Sequence, residues 1–169
     1  TLNVKKTKCM LFGPKRKVAN ATKPEIIIGN GTIEYVNSFK YLGLWFDPSL
    51  SWQSHIDKMC SKVSQRLGII RRIRNCLPTE TAKMLVQAMV LPLFDYGDIV
   101  WGNCTSTLLN RLQCLHNRAG KLIMKCPMLT PSEQVRESLS WHIYKRKATM
   151  PYCNNVLPVS QWSSTLLLV

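Results

Sequence analysis

Residues 39–74 read FKYLGLWFDPSLSWQSHIDKMCSKVSQRLGIIRRIR, and the period of their apolar side chains changes partway along. Residues 39–46 are rich in aromatic and bulky groups, the composition of a strand, with Gly43 inside it as a bulge or a point of close backbone approach. Asp47-Pro48-Ser49 breaks that strand, because proline fixes φ and supplies no amide donor. From Ser51 onward Ile56, Met59, Cys60, Val63, Leu67 and Ile70 recur at spacings of three and four, with Ile73 or Arg74 next. Such spacing lines one face of a helix. The opposite face carries Lys58, Lys62, Arg66, Arg71 and Arg72, and Ser54 stands before Asp57 at the spacing of a capping box.

On the amino-terminal side the signals are those of β structure. Residues 8–12 are a short apolar strand closed by Gly13-Pro14. Residues 25–28 stop at Gly29-Asn30-Gly31, a hairpin signal, and residues 32–36 alternate polar and apolar like a half-buried return strand. On the carboxy-terminal side the signals are helical. Pro78-Thr79 starts a second helix, which Pro92 ends or kinks. A third is expected from Ser106 to Met124, with Leu108, Leu112, Leu115, Ala119, Leu122 and Ile123 inward and Arg111, Arg118, Lys121 and Lys125 elsewhere on its surface. Thr130-Pro131-x-Glu133 is a fourth helix start. After Lys145-Arg146-Lys147 the patterning fails. The fold expected is α+β: a small antiparallel β portion over residues 1–50, a helical bundle over 51–148 and an irregular tail over 149–169.

Composition narrows the function. The 169 residues hold 23 Lys and Arg against 9 Asp and Glu, a net charge of +14. That charge is spread along the body of a chain with 46 % hydrophobic residues, so it belongs to a foldable basic domain rather than a charged tail. A polyanion, above all nucleic acid, is the expected partner. No apolar run is long enough to span a bilayer. The seven cysteines are odd in number and include no C-x-x-C pair, so no zinc site is expected, and reduced thiols point to the cytoplasm or nucleus. The chain opens on Thr1 without an initiator Met or a signal pattern and is expected to begin within a longer protein. Trp45, Trp52, Tyr96, Trp101 and Trp141 read as packing groups and His55 as structural.

A chain of short motifs in fixed order is more specific. Leu2-Asn3-x-x-Lys6-Thr7-Lys8-x-Met10-x-Phe12-Gly13 comes first, then Phe39-Lys40-Tyr41-Leu42-Gly43, then Leu50-Ser51-Trp52-x-x-His55-Ile56. Leu91-Pro92-x-Phe94-Asp95-Tyr96-Gly97-x-x-x-Trp101-Gly102 follows, and Leu112-Gln113-x-Leu115-x-Asn117-Arg118-Ala119 closes the series. Together they resemble, over roughly residues 1 to 147, the region after the active site of non-LTR (LINE-type) retrotransposon reverse transcriptases.

That resemblance implies the end of a polymerase palm followed by a thumb-like helical bundle. It implies an RNA template and a DNA primer as partners, a palm and fingers portion preceding this segment, and Mg²⁺ in the complete polymerase, where two metal ions activate the primer 3′ oxygen and steady the pyrophosphate. The Phe/Tyr-Ala-Asp-Asp turn that carries carboxylates for those ions is absent from this sequence, so no catalytic residue and no metal ligand is assigned, Asp95 and Asp98 being read as turn and capping groups. The resemblance makes Tyr41, Leu42 and Gly43 the primer grip and Lys6 a stabiliser of the departing pyrophosphate. Strand alternation would point Lys8 the same way as Lys6. Lys8, Lys62, Arg66, Arg71, Arg72 and Arg74 are the expected contacts to the nucleic-acid backbone. Two alternatives stay open: a basic nucleic-acid or ribonucleoprotein module without catalysis, and an inactive transposon relic.

Overall fold

The period change after Phe46 is where the fold turns from strands to helices. The structure, a computed structural model, describes residues 6–29, 31–141 and 165–168. The described residues up to His55, with Thr165–Leu168, form one compact unit, and those from Ile56 on form a second. Most of the expected tail, residues 149–164 and 169, lies outside the described residues.

In the first unit, β1 (Lys8–Phe12) is followed by α1 (Lys15–Asn20), β2 (Ile27–Ile28), β3 (Gly31–Thr32), β4 (Glu34–Tyr35), β5 (Phe39–Tyr41) and β6 (Leu44–Phe46). Cys9, Met10 and Phe12 of β1 are buried with Ile33. β2 and β3 make the expected antiparallel hairpin, pairing Ile27 with Thr32. Two features depart from the expectation. β1 pairs with β4 in parallel, Lys8 opposite Glu34, because the crossover that parallel pairing needs is supplied by α1 and the β2–β3 hairpin. The other neighbour of β1 is β7 (Thr165–Leu168), antiparallel, with Met10 opposite Leu167. A four-residue segment of one threonine and three leucines carries no period of its own, and its strand character comes from pairing with β1.

Residues 39–46 are two strands rather than one. β5 and β6 pair antiparallel with Tyr41 opposite Leu44, leaving Leu42-Gly43 as a two-residue loop. Both loop residues have positive φ, 44° at Leu42 and 84° at Gly43. That sign at both positions is the mark of the type I′ turn, whose twist matches a hairpin. Beyond it, Asp47 organises the approach to α2 (Gln53–Ile73): its carboxylate accepts from Ser49 Oγ at 2.8 Å and from the amides of Ser51 and Trp52, each at 3.0 Å. Asp47 thus fixes the turn that leads into the helix, and Ser54, expected at its start, lies inside it. Phe46, Trp52 and His55 pack edge to face, with ring centroids 5.2 and 6.4 Å apart, and His55 Nδ1 accepts from the Trp45 amide.

The second unit holds the rest of α2, a 3₁₀ turn (Arg74–Cys76), α3 (Thr79–Met89), α4 (Leu91–Asp95), α5 (Asp98–Trp101), α6 (Ser106–Met124) and α7 (Ser132–Ser138). Its core follows the spacing read from the sequence: Met59, Val63, Leu67 and Ile70 of α2, Ala82 and Val86 of α3, and Leu108, Leu112, Ala119 and Ile123 of α6 are buried. Pro92 lies in the first turn of α4, so the chain breaks at Val90 rather than bending within one helix. Trp101 is fully buried and its indole N–H donates to the Tyr96 carbonyl at 3.0 Å, whereas Tyr96, expected to pack, is 57 % exposed. α6 and α7 approach closely at Gly120, where an added Cβ would stand 3.0 Å from Val135 Cγ1. No helix among the described residues is long and apolar enough to cross a membrane.

Candidate nucleic-acid interface

The cationic residues divide by what their charge already meets. Lys8 is ion-paired to Glu34, its parallel-strand neighbour. Lys6 lies in a turn ahead of β1 and is exposed, so strand alternation does not align it with Lys8. Arg66 donates to the Met89 carbonyl at the end of α3. Arg111 holds Asp57 at 2.6 Å, both half-exposed, and that contact is the main reason its guanidinium is pushed up. Lys62, Arg71 and Arg72 are exposed along α2.

Arg74 is a correction to the sequence reading. It is 3 % exposed, and its guanidinium is occupied within the fold. Nε donates to Leu122 O at 2.9 Å and Nη1 to Leu77 O at 2.7 Å, while Nη2 donates to Thr79 Oγ1 at 3.2 Å and to Ile123 O. The last carbonyls of a helix have no intrahelical donor, and the negative end of the helix dipole lies there. Arg74 satisfies both conditions at the end of α6 and so serves as an internal clamp.

What the sequence reading missed lies beside that clamp. A cleft of about 490 Å³ opens between α2 and α6, lined by cationic Arg71, Arg118, Lys121 and Lys125, with Arg74 at its wall. Leu67 and Leu122 also line it. No Asp or Glu is among its lining residues. Lys121 donates to the Met128 carbonyl at 2.6 Å, and the ion pairs found among the described residues, Lys8–Glu34, Arg111–Asp57 and Arg136–Glu133, engage none of these side chains. The signal was present in the sequence: residues 118, 121 and 125 are spaced to share a helix face. Their convergence with Arg71 is visible only once α2 and α6 are packed.

Gly68 lines the same cleft from the middle of α2. A glycine inside a helix costs about 0.5–1 kcal/mol relative to alanine. At Gly120 the packing of α7 accounts for it, but around Gly68 an added Cβ would meet no atom within 4 Å. Nothing among the described residues requires a glycine there.

At the β5–β6 tip, Tyr41 is 51 % and Leu42 72 % exposed. A leucine at positive φ is unfavourable, since its Cβ crowds the backbone carbonyl. Elsewhere three cysteines suit packing rather than nucleophilic chemistry. Burial pushes the Cys9, Cys60 and Cys104 thiols up, which disfavours the thiolate. No group of three or more His, Cys, Asp or Glu among the described residues is placed to hold a metal ion. The described residues therefore present no carboxylate set of the kind a polymerase metal pair uses.

A basic α+β chain with a cation-lined cleft between two helices fits a nucleic-acid-binding class. The comparisons with known proteins narrow it. The chain is 32 % identical over 106 residues to a probable RNA-directed DNA polymerase from transposon BS of Drosophila melanogaster, a match covering 61 % of this chain and 12 % of that protein. It is 24 % identical over 129 residues to a probable RNA-directed DNA polymerase from transposon X-element of the same fly, covering 74 % and 14 %. Against a retrovirus-related Pol polyprotein from the type-1 retrotransposable element R1 of Nasonia vitripennis it is 24 % identical over 149 residues, covering 83 % and 44 %. These curated homologues are non-LTR retrotransposon polymerases, and the resemblance read from the motifs holds at modest identity over much of the chain. The chain spans under half the length of each of them. No family model and no solved structure matches it.

Proposed function

We propose that this chain is a segment of a retrotransposon RNA-directed DNA polymerase that grips primer and template and does not itself supply the catalytic aspartates. The observation that carries this reading is its similarity to three such proteins, covering 61 to 83 % of its residues. In this reading Lys62, Arg71 and Arg72 contact backbone phosphates, which positions a duplex without reading its sequence. The Tyr41-Leu42-Gly43 tip holds the primer terminus, glycine letting the backbone come close to the sugar. Lys6 stabilises charge that develops on the departing pyrophosphate, and the carboxylates that hold Mg²⁺ come from elsewhere in the complete polymerase.

Single-turnover incorporation and equilibrium binding in a polymerase rebuilt around this segment test the assignments together. Lys6→Ala slows the chemical step while primed-template binding holds, since the interaction strengthens only towards the transition state. Gly43→Val weakens primer-terminus binding and slows incorporation on the order of a hundredfold, because a β-branched side chain pushes the primer out of line. Unchanged chemistry in Lys6→Ala removes the leaving-group role, and wild-type behaviour in Gly43→Val removes the primer grip.

A further inference from the structure

We propose that the cleft between α2 and α6 seats the sugar–phosphate backbone of one nucleic-acid strand, with Gly68 as the point where that backbone comes closest to the helix. This rests on the primer–template reading and adds to it a particular seat.

Three observations meet there. Arg71 from α2, Arg118 and Lys121 from α6 and Lys125 at its carboxy-terminal cap converge on one cleft whose described lining holds no carboxylate. Like charges brought together raise the energy of the folded state until an anion joins them. Capping of α6 does not account for the group, because Arg74 already receives the carbonyls of Leu122 and Ile123. Second, the cleft is not uniformly polar: Leu67 and Leu122 line it among the cations. A lining that mixes apolar side chains with cations matches a chain of phosphates joined by sugars better than it matches a free, fully hydrated phosphate ion. Third, Gly68 lowers the helix propensity of α2 at this spot, and the fold around it leaves a Cβ in open space. A glycine that the fold does not use is explained by something outside the fold approaching the helix backbone.

Phosphodiester contacts release condensed counterions, so each cation that touches one contributes to the salt dependence of binding. The experiment titrates a labelled primed RNA–DNA duplex, a single-stranded oligonucleotide and inorganic pyrophosphate against the chain and its variants Arg118→Gln, Lys125→Gln, Gly68→Ala and Lys17→Ala, over a range of salt. Urea unfolding of each is measured in parallel. Arg118→Gln and Lys125→Gln are expected to lower the slope of log affinity against log salt by about one each, and Lys17→Ala, on α1, to leave it unchanged. Gly68→Ala is expected to raise the urea midpoint yet weaken nucleic-acid binding by roughly tenfold, the size of a steric overpacking penalty. That opposition of signs separates a lost contact from a damaged fold.

Wild-type binding with a steep salt slope that Arg118→Gln, Lys125→Gln and Gly68→Ala all leave intact overturns the seat while the primer–template reading stands. No binding of either nucleic acid by the wild-type chain overturns both. Pyrophosphate binding that depends on the cleft, without cleft-dependent nucleic-acid binding, replaces the strand with a free phosphate as occupant and overturns the proposal.

Discussion

Arg74 and Arg71 stand three residues apart, Arg74 at the end of the inward spacing and Arg71 on the opposite face, yet both read as phosphate contacts. Burial separates them. Arg74 reaches the end of α6, 48 residues away along the chain, and its guanidinium donates to Leu122 O there. Hydrogen bonds from a charged donor contribute about 1.5–3 kcal/mol each, so Arg74→Ala is expected to destabilise the second unit by roughly 3 kcal/mol or more. Arg71→Ala, at an exposed position, is expected to stay within about 0.5 kcal/mol. Urea denaturation of the two variants checks this; equal losses would mean the Arg74 clamp is not holding α6. Lys8 teaches the same lesson in reverse. Read as a phosphate contact, it is matched by Glu34, a pairing that follows from the parallel register of β1 and β4. A count of positive residues therefore identifies a basic protein, and the three-dimensional partners decide which charges remain for a ligand.

At the scale of elements, the helices were the most legible. α3 and α6 fall where Pro78-Thr79 and the leucine spacing place them, because an amphipathic period and a start signal are both local. α1 was not read, since Lys15–Asn20 buries none of its residues and so has no apolar period. β7 was not read because its strand character comes from β1. The β5–β6 turn was missed for a chemical reason: Leu-Gly lacks the Asn-Gly or Asp-Gly signature that positive φ at both positions favours. The mismatch makes a prediction. Leu42→Asn, which tolerates the left-handed conformation, is expected to stabilise the first unit by about 0.5–1 kcal/mol and to weaken primer-terminus binding. A stabilised variant with unimpaired binding would make Leu42 an ordinary imperfect turn residue. Gly120 supplies the contrast with the glycine in the cleft. An added methyl there presses on Val135 and Leu139, so Gly120→Ala is expected to lose about 1–3 kcal/mol by thermal or urea unfolding. A neutral result would mean that α7 moves aside.

For the whole molecule, composition and motif order pointed to the class of relative, and packing brought together cations that lie far apart in the sequence. The +14 charge and the ordered motifs led to a nucleic-acid polymerase segment, and the curated relatives are RNA-directed DNA polymerases of transposons. The cleft itself was not legible, because it is made by two helices whose facing residues are some fifty positions apart. Arg118, Lys121 and Lys125 share a face by spacing, but the sequence does not say which helix that face meets. The proposed function requires the chain to hold nucleic acid through phosphates, with little regard to sequence. The direct measurement is the affinity of the purified chain for primed RNA duplexes of unrelated sequence across a salt series. With a slope of about −0.9 per phosphate neutralised, several contacts give an affinity that falls steeply towards physiological salt and differs little between sequences. An affinity that barely changes from low to near-physiological salt would contradict the claim.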